Sequence, residues 1–393
     1  MPAAELDTEH SVLAACALAP AGANLTGMLA RICGGDFSWG RALASAAAHQ
    51  IRPQLAAQAQ ALDLTAAAVE LAADARASLG HGQFLAGALI EVLDALRAEH
   101  VPAIPFKGPA FAEFFGAGPG SREMADLDIL VRPADIVKAV HALAPLAYAP
   151  ALPVQALASR WLDRVTPEFP LIGRRNTILL ELHWRLSPHW YPAPCTVDDV
   201  IARATERDFL GCSVLWPATE ELFLAHVSDG LKSCGSGMRW IADVVRILRH
   251  DTGLDWQRVR RIAARNGGLN GVRVALAVAD ELAGAVARSL DIPALALSLQ
   301  APAQALAEEV RHVYRLAEAV RSICARLQSD LWITSAGAHF GWALQLADHP
   351  GRVALEIARY LAGPTVADLA AMPEQGESDL SLRLRALRRR LSR

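Results

Sequence analysis

Two carboxylates separated by one residue, Asp126 and Asp128, are the part of this sequence best suited to chemistry. Residues two apart on a β-strand point to the same face, so this spacing sets both carboxylates side by side. Their mutual repulsion is costly unless a cation lies between them. Oxygen ligands of this kind suit Mg²⁺, which is commonly held by one or two carboxylates together with substrate phosphates. The pair therefore predicts a divalent-cation site that handles phosphate groups.

A third carboxylate on a neighbouring strand would complete a two-metal site for in-line phosphoryl or nucleotidyl transfer. Glu181 is the candidate, because residues 177–184 form an apolar segment containing β-branched residues that predicts a second strand. His183 shares the face of Glu181 and either orients a carboxylate, contacts a nucleotide or is an ordinary core histidine. An isolated Asp-x-Asp is usually a solvated face or a helix cap, so the metal hypothesis depends on its context.

That context is a turn upstream of the acidic pair, Lys107-Gly108-Pro109. Pro109 suits the first turn of a helix, which is predicted to run through residues 110–115. The free N–H groups at a helix N-terminus attract anions, and Lys107 adds a point charge for phosphate. After Asp128 the sequence continues as Ile129-Leu130-Val131, which places the pair at the rim of a buried strand.

The elements that must position these residues lie between two helical regions. Alanine and leucine dominate the N-terminal part, and Leu62 to Leu96 is a long segment with helical periodicity. Extended segments are predicted around residues 100–106, 125–131 and 177–184, and the chain reads as helical again from Thr219 to Ala362. We predict four regions: N-terminal helices (1–95), an α/β core (96–210), C-terminal helices (211–365), and a linker with a basic amphipathic tail (366–393).

Composition narrows the class of protein. The chain has 393 residues, of which 53% are hydrophobic and 20% charged, so it can bury a large core. Its formal net charge of -3 argues against extended nucleic acid as a partner. Six scattered cysteines form no Cys-x-x-Cys pair, which argues against a zinc ribbon and against a disulfide framework. No signal peptide or membrane span is predicted, and we expect a cytoplasmic protein.

Four segments in this order resemble the uncharacterised nucleotidyltransferase family of the DNA polymerase beta superfamily. They are VPAIPFKGPAFAEFF (101–115), SREMADLDILV (121–131), LLELHWRL (179–186) and RWIADVVRIL (239–248). With the helical flanks, the resemblance covers the chain from about residue 10 to about residue 370. It implies an α+β fold, in which helical regions flank a small mixed β-sheet.

The resemblance also implies an activity and a site. The activity is Mg²⁺-dependent transfer of a nucleotidyl group from an NTP, expected to be ATP, to an acceptor hydroxyl, with release of pyrophosphate; Mn²⁺ is the alternative ion. Asp126, Asp128 and Glu181 match the catalytic metal-binding carboxylates. The predicted nucleotide-binding residues are Lys107, Gly108, Arg122 and His183. The acceptor stays open between a small molecule, a peptide and a protein.

Two departures from the family pattern support an alternative function. The superfamily has Gly-Ser after the first strand, whereas this chain has Gly108-Pro109, without a hydroxyl or an N–H at the second position. In the helical region His226 is present, but Gly230 stands where the resemblance implies a second histidine. The alternative is a catalytically impaired nucleotide-binding or scaffold protein of a biosynthetic assembly.

Two further charged features are assigned from the residues alone. Asp243 lies in the apolar segment 240–245, and a charge there usually has a partner, so we predict a structural pair with Arg239 or Arg122. The tail carries leucines at 380, 384, 387 and 391, interspersed with Arg383, Arg385, Arg388, Arg389 and Arg390. It is either a solubilising or docked end, or a contact with a protein or a membrane surface.

Overall fold

The described part of the chain confirms the predicted α+β class. The computed structural model describes residues 7–20, 23–33, 37–59, 65–116, 118–159, 162–173, 177–327 and 335–372, together with Leu382 and Ala386. Within these residues, helices surround a five-stranded sheet and a two-stranded sheet. None of these helices is both long and apolar enough to cross a bilayer. The predicted tail helix lies outside the described residues except for Leu382 and Ala386, whose side chains are buried.

Helices precede the first strand, as the alanine- and leucine-rich composition predicts. They are α1 (Thr8–Leu18), α2 (Thr26–Ile32), α3 (Trp39–Ala48), α4 (Arg52–Ala59) and α5 (Thr65–Ala98). The Asp7 side chain caps α1 by accepting a hydrogen bond from the backbone N–H of His10 at 2.9 Å. The long α5 confirms the helix predicted from the periodicity of Leu62 to Leu96, over the part of that segment that the structure describes.

The central sheet is mixed, and its strand order is β1-β2-β5-β4-β3. Its strands are β1 (Ile104–Pro105), β2 (Asp126–Leu130), β3 (Ala149–Pro150), β4 (Glu168–Gly173) and β5 (Ile178–His183). β2 and β5 pair in parallel at the centre, and the outer pairs are antiparallel. The strands predicted at 125–131 and 177–184 are confirmed. β4 escaped prediction because Pro170 in its middle lacks an N–H and reads as a strand breaker.

A β-hairpin follows the central sheet. Its strands are β6 (Thr205–Phe209) and β7 (Cys212–Trp216). Leu210 and Gly211 form the turn, with φ of 52° and 84°. Two residues with positive φ are typical of the tight turns whose twist matches that of a hairpin. β7 lies beyond the predicted end of the α/β core at residue 210, and the domain boundaries themselves stay predictions.

Short helices lie between the strands of the α/β part. They are α6 (Gly108–Phe115), α7 (Ile136–Leu143), α8 (Leu162–Val165) and α9 (Val197–Ile201). The helix predicted after Pro109 is confirmed by α6, in which Pro109 lies in the first turn. Helices α5 and α6 both contact β2.

The C-terminal part is helical, as predicted. Its helices are α10 (Thr219–Lys232), α11 (Met238–His250), α12 (Trp256–Asn266), α13 (Leu269–Ser289), α14 (Ala301–Glu309), α15 (Tyr314–Leu327), α16 (Ala336–Leu346), α17 (Pro350–Ala362) and α18 (Val366–Ala370). The region predicted as a linker from residue 366 begins with a helix, α18. Thr365 and Asp368 form a capping box, in which each side chain bonds the backbone N–H of the other residue, and this starts a short helix.

One hydrophobic cluster joins the N-terminal helices, the central sheet and the C-terminal helices. Helix α1 is buried along almost its whole length and packs against α11 and α13. In the sheet, Leu127 and Ile129 of β2 and Leu180 and Leu182 of β5 are all buried. Because strand side chains alternate between faces, the residues between them project from the opposite face, where the candidate site lies.

Candidate active site

The parallel pairing of β2 with β5 brings the predicted acidic residues together. In the register of the two strands Asp128 pairs with Glu181, and Leu130 pairs with His183. Asp126 shares the face of Asp128, because the two residues are separated by one position on the same strand. Three carboxylates and one imidazole from distant parts of the sequence therefore lie on one face at the centre of the sheet.

Asp128 lies between two nitrogen-bearing side chains of this cluster, Lys107 and His183. Its Oδ1 atom accepts a hydrogen bond from Lys107 Nζ at 3.1 Å and lies 2.9 Å from His183 Nε2. The same His183 nitrogen lies 3.3 Å from Glu181 Oε2. Asp128, His183 and Lys107 are all buried, so these contacts are largely shielded from solvent. The cluster is thus a connected network of charges rather than a set of separate surface groups.

The network shifts the pKa of its members in opposite directions. Burial alone would raise the pKa of Asp128, but the charge of Lys107 and the hydrogen bond from His183 hold it well below its usual range. Burial likewise opposes protonation of His183, but Asp128 and Glu181 outweigh it and raise the pKa of this imidazole to about 9. Asp128 is therefore a carboxylate, and His183 is an imidazolium at neutral pH.

Asp126 is the carboxylate whose negative charge is least balanced by neighbouring positive charges. Burial and the neighbouring charge of Asp128 raise its pKa to about 6, and Glu181 acts in the same direction. Lys107 and Arg239 oppose the shift without cancelling it. A bound cation would remove the repulsion between Asp126 and the neighbouring carboxylates. The raised pKa of the half-buried Asp126 therefore indicates a position suited to a cation.

The donor set fits a divalent cation. The possible ligand atoms of Asp128, Glu181 and His183 all lie within 4.8 Å of one another, although the imidazolium of His183 must lose a proton before its nitrogen can bind a metal. The carboxylates supply the hard oxygen ligands that Mg²⁺ and Mn²⁺ favour, and an imidazole nitrogen is a ligand better suited to transition metals. Of the roles predicted for His183, the structure shows contact with the carboxylates, and contact with a nucleotide stays a prediction.

The turn before α6 positions Lys107. Gly108 has φ of +61°, a backbone conformation that side chains other than glycine rarely adopt. This left-handed turn lets the chain pass from β1 into α6, with Pro109 in the first turn of the helix. Lys107 then extends along the site, with Nζ 4.7 Å from the centre of the Phe106 ring. Lys107 therefore contacts the carboxylate of Asp128, and the binding of a nucleotide by Lys107 and Gly108 stays a prediction.

Helix α10 adds a carboxylate that sequence reasoning missed. Asp229 Oδ1 lies 2.8 Å from Lys107 Nζ and 3.1 Å from Lys232 Nζ. Lys107 therefore bridges Asp128 of the sheet and Asp229 of the helical region. The sequence contained a signal for this residue, because Asp229 follows His226 by three positions and so lies on the same side of the helix.

Glu168 is a second residue that was missed. Its Oε2 atom lies 3.3 Å from His183 Nδ1, on the side of the ring opposite Asp128. The two residues face each other because Glu168 pairs with His183 in the register of β4 and β5. This contact could not be anticipated, since β4 itself was not predicted.

Arg122 was predicted to bind the nucleotide. In the structure its side chain pairs with a carboxylate of the helical region. It is 3% exposed, and its Nε donates to Asp243 Oδ2 at 2.9 Å. This confirms the predicted structural pair of Asp243 with Arg122. His226 lies beside the pair, with Nδ1 3.8 Å from Asp243 Oδ2 and Nε2 3.0 Å from the carbonyl oxygen of Phe106. Through these contacts α10 and α11 bind the backbone carbonyl of Phe106, the residue that precedes Lys107.

At position 230, where the resemblance implies a second histidine, the structure leaves no room for a side chain. A Cβ atom at position 230 would lie 2.3 Å from the ring of Trp240. Trp240 of α11 thus occupies the space that a side chain at this point of α10 would need. Glycine at this position lets α10 and α11 pack closely against each other.

Comparisons with known proteins agree with this architecture. A model of the family described as uncharacterised nucleotidyltransferase matches residues 35–284. The matched range contains the whole carboxylate network, the turn at Gly108 and the paired residues of α10 and α11. No curated protein matches the chain, and no solved structure does.

Proposed function

Because the chain belongs to the uncharacterised nucleotidyltransferase family, we propose that it transfers a nucleotidyl group from Mg²⁺-bound NTP to an acceptor hydroxyl. ATP is the proposed donor, and Mn²⁺ is the alternative ion. The reaction forms a bond between the acceptor oxygen and the α-phosphorus and breaks the bond to the β-phosphate. Pyrophosphate leaves, and the hydroxyl proton passes to solvent.

The observation that carries the proposal is the register of β2 and β5. It sets Asp128 opposite Glu181, with Asp126 on the same face. Two carboxylates on one strand and a third on its neighbour are the donor arrangement expected of a two-metal site for in-line displacement. The raised pKa of Asp126 supports it, because it indicates a surplus of negative charge at this point.

Each residue then has a distinct task. Asp126, Asp128 and Glu181 would hold the cation, which supplies Lewis-acid polarisation of the phosphate and a lowered pKa for the acceptor hydroxyl. His183 orients Asp128 and Glu181 through Nε2.

Lys107 places a positive charge at the edge of the carboxylates, where it can neutralise the departing phosphates. Gly108 shapes the turn that delivers Lys107. Arg122 pairs with Asp243, and its charge also interacts with those of Asp229 and Asp128.

Pyrophosphate release from each of the four NTPs, with Mg²⁺ or Mn²⁺ and a panel of hydroxyl acceptors, tests the proposal. Asp126→Asn and Asp128→Asn remove charge without changing size, and each should lower release by at least about a hundredfold. Asp94→Asn is the matched control, because Asp94 is an exposed carboxylate on α5 that pairs with Arg97. Full activity of Asp128→Asn would refute the assignment.

One observation favours the alternative of a nucleotide-binding or scaffold protein. Lys107 and His183 already satisfy Asp128 Oδ1, and Pro109 offers phosphate neither an N–H nor a hydroxyl. Under this alternative the protein binds an NTP, does so without dependence on Asp128, and releases no pyrophosphate. Deletion of residues 378–393 then tests whether the tail binds a partner or is only a solubilising or docked end. A scaffold protein that uses its tail should lose its partner on this deletion, while its nucleotide binding is unchanged.

A further inference from the structure

A row of apolar residues lies next to the carboxylates on the same face of the central sheet. In the register of the strands Asp126 pairs with Leu179, Leu179 pairs with Ile172, and Ile172 pairs with Ala149. Residues that pair across a sheet project from the same face. The row of Leu179, Ile172 and Ala149, called the apolar row below, therefore runs from Asp126 across β5 and β4 to the edge strand β3.

The apolar row is open to solvent. Leu179 is 36% exposed and Ile172 is 37% exposed, and Ala149 is also exposed. Their neighbours along the strands, Leu180 and Leu171, project from the other face and are fully buried. Single exposed apolar side chains are common, whereas these three adjoin one another and begin at a charged cluster.

The strand order determines which side of the carboxylates the row occupies. Lys107 follows β1, which lies on one side of β2, whereas β5, β4 and β3 lie on the other. In an in-line displacement the attacking oxygen and the leaving group are on opposite sides of the phosphorus. With the leaving phosphates on the side of Lys107, the acceptor hydroxyl must approach from the side of β5 and β4. The apolar row lies along that approach.

We propose that the apolar row is the acceptor subsite, and that the acceptor is a hydroxyl compound with an apolar alkyl or aromatic body. The hydroxyl lies towards Asp126 and Glu181, and the body extends over Leu179 and Ile172 towards the edge of the sheet. With strands about 4.8 Å apart, the row spans about 10 Å, which is enough for an extended apolar group. This inference rests on the proposed function, since it names the class of acceptor for the same site.

The test uses 1-hexanol as the apolar probe and glycerol as the polar one. Titrated into protein labelled with ¹³C at its methyl groups, 1-hexanol should shift the signals of Leu179 and Ile172, and glycerol should not. Leu179→Thr and Ile172→Thr keep side chains that favour strands. Each should raise the dissociation constant of 1-hexanol about fourfold or more, which corresponds to the loss of one buried methylene. Leu355→Thr, at an exposed position of α17, is the matched control and should leave that constant unchanged.

Three outcomes would overturn the inference. One is unchanged binding of 1-hexanol in both threonine variants, and another is an equal response to glycerol. The third is a shift of the same methyl signals by adenosine monophosphate instead of 1-hexanol, which would assign the row to the nucleobase.

The inference and the proposed function fail in distinguishable ways. Asp128→Asn should abolish pyrophosphate release and leave 1-hexanol binding in place. Binding of 1-hexanol by a protein that releases no pyrophosphate with any acceptor would refute the proposed function alone. Pyrophosphate release that proceeds equally with polar acceptors, and equally in Leu179→Thr and Ile172→Thr, would refute the acceptor subsite alone.

Discussion

The ammonium of Lys107 lies 2.8 Å from the carboxylate of Asp229, and this contact links the helical region to the carboxylates of the sheet. The same ammonium is 3.1 Å from Asp128 Oδ1. Lys107 is thus shared between a residue proposed to bind a divalent cation and one that has no such role. Its position between them sets how much negative charge Asp128 can offer to a cation.

Removing the two partners of Asp128 should change cation affinity in opposite directions. In Lys107→Met, Asp128 loses a competing positive charge, so Mn²⁺ should bind at least about tenfold more tightly. In Asp229→Asn, Lys107 loses its second anchor and stays on Asp128, so Mn²⁺ should bind more weakly. Electron paramagnetic resonance of free Mn²⁺, without nucleotide, measures both effects.

Lys138→Met is the control for the loss of one positive charge, because Lys138 is exposed on α7. It should leave Mn²⁺ affinity unchanged. Weaker binding in both Lys107→Met and Asp229→Asn would mean that the two residues serve only to hold the site together, and competition at Asp128 would be ruled out.

Replacing only one partner of the buried pair Arg122 and Asp243 should strongly destabilise the folded protein. Arg122→Leu leaves the Asp243 carboxylate buried without its main partner, and Asp243→Leu does the same to the guanidinium. Each change should lower the free energy of unfolding by about 3–5 kcal/mol in urea denaturation, and the double variant should recover part of that loss. The exposed pair of Arg132 and Asp198, 3.3 Å apart, is the control and should contribute less than about 1 kcal/mol. Additive losses in the double variant would show that the two side chains do not interact.

His226 should make the protein less stable in mild acid. Burial is the main cause that lowers its pKa to about 4, and the charges of Arg122 and Lys107 act in the same direction, against Asp243 and Asp229. The unfolded chain binds a proton at this histidine near pH 6.5, whereas the folded protein does so only near pH 4. The contribution to stability is therefore complete above about pH 6.5 and is lost as the pH falls from there towards 4.

Urea unfolding of His226→Gln between pH 7 and pH 4.5 measures this loss, because glutamine can still donate to the carbonyl oxygen of Phe106. The variant should lose less stability over this range than the original protein, by on the order of 2 kcal/mol. His141→Gln, at an exposed position of α7, should follow the original protein. Identical pH profiles for His226→Gln and the original protein would show that His226 is not buried in its neutral form.

Gly230→Ala should destabilise the contact between α10 and α11. The new methyl group would overlap the ring of Trp240, so we expect a loss of about 1–3 kcal/mol in thermal or urea unfolding. Gly87→Ala is the matched control, since nothing lies within 4 Å of the added atom in the middle of α5 and alanine favours the helix. Trp240→Leu in the Gly230→Ala background should restore part of the loss. Equal stability of the two alanine variants would contradict the packing explanation.

The strands that carry Asp126, Asp128 and Glu181 could be predicted because their signals are local. Alternation places Asp126 and Asp128 on one face, and an apolar run marks the strand of Glu181. The turn at Gly108 and the helix after Pro109 were also predictable, since glycine and proline restrict the backbone in ways that are independent of the rest of the chain. By contrast, β4 was hidden by Pro170, and Glu168 was hidden with it.

The sequence by itself determined the α+β class, the helical flanks and the acidic residues on two strands, since these follow from residue type and spacing over a few positions. The tertiary structure decided how those strands pair, and therefore that Asp128 faces Glu181 with His183 between them. It also decided that Lys107 is shared with Asp229 and that Arg122 is bound by Asp243. Such contacts join residues up to about 120 positions apart. They depend on burial and on charges brought together by packing, neither of which is encoded in any single segment of the chain.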